Sequence, residues 1–213
     1  MYKTNTSKIA YLFSSMLLGM ASFLISGILA CIFILFLDNY ILATIIAGGI
    51  GGLLLSLLLQ MPNKISRMTI AGIIGMTIGL IISFFLVEGF GALFPSIGAY
   101  FENSSIPDIV AIIFMGITFG AVFGAINYGR KSIWLFSIVC GVASIPSGLL
   151  VAALNSGYFL KVWPASLTDI LVKIDLNFLA ITISIGIGTG LSIGLYNMSK
   201  KISSDDSFKG NKA

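Results

Sequence analysis

The sequence predicts an all-α fold, a polytopic bundle of six transmembrane helices with internal two-helix hairpin repeats. Of the 213 residues, 57% are hydrophobic and only 9% are charged, whereas a soluble domain carries about 25% charged residues. The apolar residues fall in six runs, each near the roughly 20 residues that a spanning helix needs. The last four runs also repeat one glycine pattern. These three observations together predict the fold class.

The six runs predict helices and not barrel strands, because their apolar residues are continuous and do not alternate. Helix 1 is predicted at residues 9–37, which are too long for the apolar core of a cleaved secretory signal. The other five helices are predicted near residues 40–60, 68–87, 109–128, 132–154 and 176–198. We expect one domain over residues 1–201 and a polar cytoplasmic tail, residues 202–213, that is disordered.

Basic residues predict the orientation. One side of the predicted membrane carries ten of them: Lys3, Lys8, Lys64, Arg67, Arg130, Lys131, Lys200, Lys201, Lys209 and Lys212. The other side carries only Lys161 and Lys173, together with six acids: Asp38, Glu88, Glu102, Asp108, Asp169 and Asp175. Because Lys and Arg are enriched in cytoplasmic connections, the sequence predicts a plasma (inner) membrane protein with both termini in the cytoplasm. Short basic runs between apolar stretches indicate contact with lipid and not with nucleic acid.

Two predicted outer connections, residues 88–108 and 155–175, mix aromatic with turn residues. One interpretation is aromatic anchoring at the membrane interface. The other is a pair of caps that fold over an outward-facing cavity. The candidate cap residues are Phe90, Phe94, Tyr100, Tyr158, Phe159 and Trp163.

The last four predicted helices contain the same two-helix hairpin pattern twice. Helix 4 contains Gly116, Gly120, Gly124 and Asn127, and helix 6 contains Gly186, Gly190, Gly194 and Asn197, at an offset of 70 residues. Gly72 and Gly79 of helix 3 match Gly141 and Gly148 of helix 5 at an offset of 69, and Phe94-Pro95 matches Trp163-Pro164. Helix 2, with Gly48 and Gly52, belongs to a degenerate third copy in this interpretation. Such parallel repeats predict a pseudo-symmetric ring of hairpins about an axis along the membrane normal.

Glycines four residues apart share one helix face and allow a neighbouring backbone to approach closely. The predicted packing seam consists of Gly48, Gly52, Gly116, Gly120, Gly124, Gly186, Gly190 and Gly194. We expect helices 2, 4 and 6 to form the tightly packed centre of the bundle. Packing is the simpler role of these glycines, and a sliding seam that opens a narrow path is the alternative.

Polar residues inside the predicted spans are mostly hydroxyls, which bond to the backbone of their own helix. No Asp, Glu, Lys or Arg lies near the middle of a span, which argues against a proton-driven pump. Asn127, Tyr128, Tyr196 and Asn197 lie at the inner ends of helices 4 and 6. They are either interfacial anchors or an inner gate.

The sequence does not favour an enzyme. It contains no histidine, which is the commonest general base and metal ligand, and no phosphate-binding loop for a nucleotide. Its two cysteines, Cys31 and Cys140, lie in different thirds of the predicted membrane and are poorly placed to pair. We therefore expect no catalytic residue, no metal site and no cofactor.

Two functions remain open. The first is a transport-related subunit that binds or passes a small neutral or weakly polar solute, with a separate energising subunit if transport is active. In size, helix count and the side of its termini, the chain resembles the substrate-binding subunits of energy-coupling-factor vitamin uptake systems, which implies such a partner. The second is a non-catalytic assembly, immunity or scaffold protein that acts through helix–helix contacts. A cavity inside the bundle would favour the first function, and closure by glycine packing the second.

Overall fold

The structure, a computed structural model, describes residues 3–93, 106–155 and 175–210, and these are almost entirely helical. The long helices are α1 (Lys3–Leu37), α2 (Tyr40–Leu58), α3 (Ile65–Leu93), α4 (Ile106–Tyr128), α5 (Ile133–Asn155) and α6 (Leu176–Gly210). Short 3₁₀ turns at Pro62–Lys64 and Arg130–Ser132 connect α2 to α3 and α4 to α5. All six long helices are apolar and long enough to cross a membrane. The predicted all-α, six-helix fold is confirmed.

The helix ends follow from local sequence. Asp38 adopts φ 47°, which ends α1, and the Asn39 side chain then accepts a hydrogen bond from the Leu42 N–H at 2.9 Å. A side-chain acceptor at this position satisfies one of the free N–H groups of a helix start. The Asp175 carboxylate serves α6 in the same way, at 3.0 Å from the Phe178 N–H. Gly129, at φ 85°, makes the turn after α4.

Three sequence-based boundaries are wrong. Helix α1 begins at Lys3 and not at residue 9. Helix α3 continues to Leu93, so residues 88–93, which were assigned to an outer connection, are helical. Helix α6 continues to Gly210, so the tail expected to be disordered is helical up to that residue. The physical reason is cooperativity: adding residues to an existing helix requires no new nucleus.

The helices form a closed ring in chain order. Each packs against the next one along the chain, and α6 returns to pack against α1. Helix α6 is the most enclosed, with 67% of its spanning segment buried, against 33–50% for the other five. Large apolar side chains cover the outer surface of the ring, among them Phe84, Phe85, Trp134 and Ile138. This apolar surface is suited to contact with the lipid bilayer.

Aromatic rings fill the centre of the ring. Phe23 of α1 and Phe119 of α4 are both fully buried, and their rings meet edge to face at a centroid distance of 5.7 Å. These two helices are not neighbours in the ring, so the contact crosses its middle. The expectation that helices 2, 4 and 6 form the packed centre is therefore wrong.

Candidate functional site at the basic end

The two ends of the bundle differ in charge. The end that carries the start of α1, the end of α6 and both 3₁₀ turns is called the basic end here. Among the residues whose side chains the structure describes, its cations are Lys8, Lys64, Arg67, Arg130, Lys131 and Lys200. The opposite end, called the acidic end, carries Asp38, Glu88, Asp108 and Asp175.

The predicted packing glycines lie at three separate helix pairs. A methyl group added at any of them would overlap or crowd its neighbour, mostly a backbone carbonyl oxygen. In the α2–α3 pair, Gly48 faces Gly72 and Gly52 faces Met68. In the α4–α5 pair, Gly116 faces Cys140 and Ser144, and Gly120 and Gly124 face Phe136. In the α6–α1 pair, Gly186 faces Gly19, Gly190 faces Ser15, and Gly194 faces Leu12. We call these three contacts the glycine seams. Each joins an even-numbered helix to the next odd-numbered one.

The glycine seams are arranged alike. In each, two glycines four residues apart face two partner residues four residues apart. Gly52 precedes its partner Met68 by 16 residues, and Gly120 precedes its partner Phe136 by the same 16. This geometry is compatible with three equivalent hairpins, which stay a prediction from the sequence.

A line of aromatic rings runs from the middle of the bundle to its basic end. Phe119 stacks on Phe123 at a centroid distance of 5.5 Å, and Phe123 on Phe136 at 6.2 Å. Phe136 in turn stacks on Tyr128 at 5.1 Å, and Tyr128 meets Tyr196 of α6 at 4.7 Å. With Phe23, these rings form the aromatic column. The column occupies the space between the ring centre and the basic end with stacked side chains.

A cavity of about 450 Å³ lies at the basic end, beside the last rings of the aromatic column. Its polar lining consists of Lys64, Arg67, Asn127, Tyr128, Tyr196, Asn197 and Lys200. The remaining lining residues are Ala125, Ile126 and Gly129. This volume lies within the range of small-molecule sites in proteins, roughly 300–1,000 Å³.

The cavity is positively charged. Lys64, Arg67 and Lys200 contribute three cations, and the lining residues that the structure describes include no Asp or Glu. The Lys64 ammonium group lies 3.9 Å from the centroid of the Tyr128 ring, within the range of a cation–π interaction. One wall of the cavity and the end of the aromatic column are thus joined through this pair.

Two polar atoms at the cavity have no hydrogen-bond partner among the described residues. Asn127 is 7% exposed, and its Nδ2 donates to the Phe123 carbonyl at 3.1 Å, but its Oδ1 is buried and unpaired. The Tyr128 hydroxyl is also buried and unpaired. A buried polar atom without a hydrogen bond destabilises the fold by about 1–3 kcal/mol. The closed arrangement therefore lacks hydrogen bonds that a bound ligand could supply.

The structure brings the four residues of the predicted inner gate together around one cavity. Asn127 and Asn197, which match in the predicted repeat, both line it, and Asn197 also donates a hydrogen bond to the Tyr11 hydroxyl at 3.0 Å. The sequence assigns Lys64, Arg67 and Lys200 to orientation and to lipid contact. Lys200 could have been added to the site because it follows Asn197 by three residues, whereas Lys64 and Arg67 lie in another connection and gave no such signal.

The predicted outer cap lies mostly outside the described residues. Phe94, Tyr100, Tyr158, Phe159 and Trp163 fall there, and Phe90 lies in the last part of α3. At the acidic end of the described chain, the Asn155 amide donates to the Asp108 carboxylate at 2.9 Å, and the Asn177 amide donates to the Asn155 carbonyl at 3.2 Å. These two bonds connect α4, α5 and α6 at that end.

The mid-span hydroxyls mostly bond within their own helices, as expected. Five of them do so: Ser144, Ser147, Thr182, Ser184 and Thr189. Two also connect helices: Ser83 of α3 donates to the Ala111 carbonyl of α4 at 2.8 Å, and Ser147 of α5 donates to Ser184 of α6 at 3.0 Å. The Thr77 hydroxyl is buried without a partner in the described chain. These groups stabilise the ring and do not gather into a second polar site.

Within the described ranges, no group of three or more Cys, Asp or Glu side chains is placed to hold a metal ion. The candidate functional site is therefore the cavity at the basic end. Comparisons of the chain with protein-family models, curated proteins and solved structures found no match.

Proposed function

We propose that this integral membrane protein is transport-related and that the cavity at the basic end receives its solute. One observation carries the proposal: the residues of the predicted inner gate surround a polar cavity of about 450 Å³ that ends against stacked aromatic rings. A polar cavity beside a movable aromatic barrier is the arrangement that a gated solute path requires. The proposal assigns no chemical reaction to the chain.

The structure would represent a state closed toward the acidic end. For a solute to pass, the rings of Tyr128 and Tyr196 and those behind them must separate. A ligand can favour this opening only if it binds the open state more tightly than the closed one. The unpaired Asn127 Oδ1 and Tyr128 hydroxyl supply such a difference, since both are shielded from water while the column is closed.

The alternative, a non-catalytic assembly, immunity or scaffold protein that acts through helix–helix contacts, stays open. Closure of the bundle by glycine packing is the outcome that favours it, and the eight predicted packing glycines make close contacts of this kind. In the structure, all eight of these glycines are used within the chain, in the three glycine seams. The outer surface that remains for a partner presents bulky apolar side chains such as Phe84 and Trp134.

The proposal includes orientation and location. With ten basic residues on one side against two on the other, the basic end faces the cytoplasm of a cell whose plasma (inner) membrane holds the protein. The cavity then exchanges solute with the cytoplasm. Active transport would require a separate energising subunit, because the chain has no phosphate-binding loop.

Locking the gate tests the proposal. In a background with Cys31→Ala and Cys140→Ala, the pair Ala125→Cys and Asn197→Cys places thiols on α4 and α6, both at the cavity. A short bifunctional methanethiosulfonate then links the two helices reversibly. Vesicles containing the purified protein are loaded with a panel of sugars, amino acids, organic acids and phosphate esters, and efflux is followed by mass spectrometry.

We expect at least one solute to leave faster than from protein-free vesicles, to stop after linking and to resume after reduction. The control pair, Arg130→Cys and Trp134→Cys, lies on adjacent exposed turns and does not bridge the cavity, so its linking should leave efflux unchanged. Equal efflux from protein-containing and protein-free vesicles for every solute would overturn the transport proposal for the chain alone.

A mild-detergent pull-down from the native membrane tests the separate energising subunit. Stoichiometric recovery of a nucleotide-hydrolysing protein would establish an active transporter component. Recovery of the chain alone, together with gated efflux, would establish a self-sufficient facilitator.

A further inference from the structure

The charge of the cavity bears on what it binds. Lys64, Arg67 and Lys200 supply three positive charges, and no carboxylate is among the described residues that line the cavity. The sequence had suggested a neutral or weakly polar solute, but such a solute would leave these charges unmatched. An anion matches them, and a group with two negative charges matches them better than a single carboxylate.

A phosphate monoester has about 1.5–2 negative charges at neutral pH and three strong acceptor oxygens. Arg recognises phosphate through two parallel hydrogen bonds, while Lys acts as a point charge. The Tyr128 hydroxyl, which has no partner in the closed arrangement, can donate to a further phosphate oxygen. The polar lining thus offers both the charge and the donors that a phosphate group requires.

The phosphate alone leaves one group unsatisfied. Asn127 is more than nine-tenths buried, and its unpaired Oδ1 only accepts hydrogen bonds, so a phosphate oxygen cannot satisfy it. The ligand must therefore carry a donor as well. An amine would add a fourth positive charge to the site, and a hydroxyl would not.

We propose that the cavity at the basic end binds a phosphate ester that carries a free hydroxyl group, with the phosphate at Lys64, Arg67 and Lys200 and the hydroxyl at Asn127. The inference rests on the proposed function, since it names the solute class of the same cavity. Two sources combine a phosphate ester with a free hydroxyl group. A soluble phosphorylated polyol is a monoester with nearly two negative charges, and the headgroup of an anionic lipid such as phosphatidylglycerol is a diester with one.

Binding to the full chain in phosphatidylcholine nanodiscs tests the proposal. The probes are glycerol 3-phosphate, methyl phosphate and glycerol, titrated by calorimetry. We expect glycerol 3-phosphate to bind about tenfold more tightly than methyl phosphate, which has no free hydroxyl group, and this is the effect of one well-made hydrogen bond. Glycerol alone should not bind. The proposal would be overturned if neither phosphate compound, at millimolar concentration, bound to the folded, helical protein.

Two variants separate the two parts of the site. Asn127→Leu should abolish the tenfold preference and leave the affinity for methyl phosphate unchanged. The double variant Lys64→Gln/Arg67→Gln should weaken both phosphate ligands by tenfold or more. Its matched control, Arg130→Gln/Lys131→Gln, removes two exposed cations of the same end that do not line the cavity, and should bind as the parent does. If both double variants lost the same amount of phosphate affinity, general surface charge would explain the binding and the proposal would be overturned.

Nanodiscs that contain phosphatidylglycerol distinguish the two sources. If the lipid is the natural occupant, this lipid should compete with glycerol 3-phosphate and lower its apparent affinity in the parent but not in Lys64→Gln/Arg67→Gln. If the affinity is unchanged, the occupant is the soluble ester. If another solute shows gated efflux and no phosphate compound binds, the proposed ligand class is wrong, while the transport proposal is still supported.

Discussion

The ammonium group of Lys64 lies 3.9 Å from the centroid of the Tyr128 ring, so a cation of the α2–α3 connection rests on the last aromatic side chain of α4. Tyr128 also stacks on Phe136 of α5 and meets Tyr196 of α6. One ring thus receives contacts from three other parts of the chain. Tyr128 is the residue whose movement would change both the cavity and the aromatic column.

The Lys64–Tyr128 contact should stabilise the closed bundle. Lys64→Gln is expected to lower the free energy of unfolding by about 0.5–1 kcal/mol, the usual range for a cation–π pair that is partly exposed. The measurement is unfolding in detergent at increasing denaturant. Lys131→Gln, an exposed cation of the same end, should leave the free energy unchanged. An equal loss in both variants would show that charge, and not the ring contact, is responsible.

The glycine seams should not tolerate even a methyl group. Gly52→Ala is expected to cost about 1–3 kcal/mol, the range for overpacking, because its methyl would overlap the carbonyl oxygen of Met68. Gly120→Ala and Gly190→Ala should behave in the same way. The comparison is the thermal unfolding midpoint in detergent.

Gly89 provides the control for the glycine seams. It is helical, and nothing lies within 4 Å of the position that a methyl group would occupy. Gly89→Ala should therefore be neutral or stabilise by up to about 1 kcal/mol, because Ala favours helix over Gly. If Gly52→Ala unfolds at the same midpoint as Gly89→Ala, the seams are looser than described.

The aromatic column should close the bundle to solutes. Phe119→Ala removes a fully buried ring between Phe23 and Phe123 and should destabilise by about 2–4 kcal/mol, as large-to-small core changes do. It should also increase the leakage of small polar solutes from protein-containing vesicles.

Phe85→Ala removes a ring of the same size that is 69% exposed on the outer surface. It should change neither stability nor leakage beyond measurement error. If Phe119→Ala lowers stability but leaves leakage unchanged, other side chains close the path.

Labelling of two single-cysteine variants tests the orientation in the membrane. Ser199→Cys lies at the basic end and Tyr40→Cys at the acidic end, and both parent residues are exposed. In intact cells, a membrane-impermeant maleimide should label Tyr40→Cys only, and Ser199→Cys should react after the membrane is opened. The reverse pattern would place the cavity on the outside of the cell.

Hydrophobic run length was enough to predict the spans. α2 starts at Tyr40 and α4 ends at Tyr128, both as predicted, because Asn39 and Gly129 beside them mark a helix start and a turn. The ends of α3 and α6 were missed because Glu88 and Lys200 introduce polarity without breaking a helix. Polarity marks the edge of a membrane, and not the end of a helix.

The site was half predicted. Asn127 and Asn197 were found because they recur at matched positions in two helices, and Tyr128 and Tyr196 because they stand beside them. Lys64 was not, because its place beside Tyr128 depends on how α3 packs against α4. Glycine spacing likewise predicts a close approach but not its partner, so the pairing of α2 with α3, α4 with α5 and α6 with α1 required the structure.

The α6–α1 seam has a consequence for how the chain is made. Gly52 and Gly120 meet their partners after 16 further residues, so these two seams can close as soon as the next helix leaves the ribosome. Ser15 and Gly19 must instead wait for Gly190 and Gly186, which are synthesised after five complete helices. Until then, the small-residue face of α1 is open to lipid or to any other helix in the insertion machinery. Of the six helices, α1 is synthesised first, and it waits longest for the partner of its glycine seam.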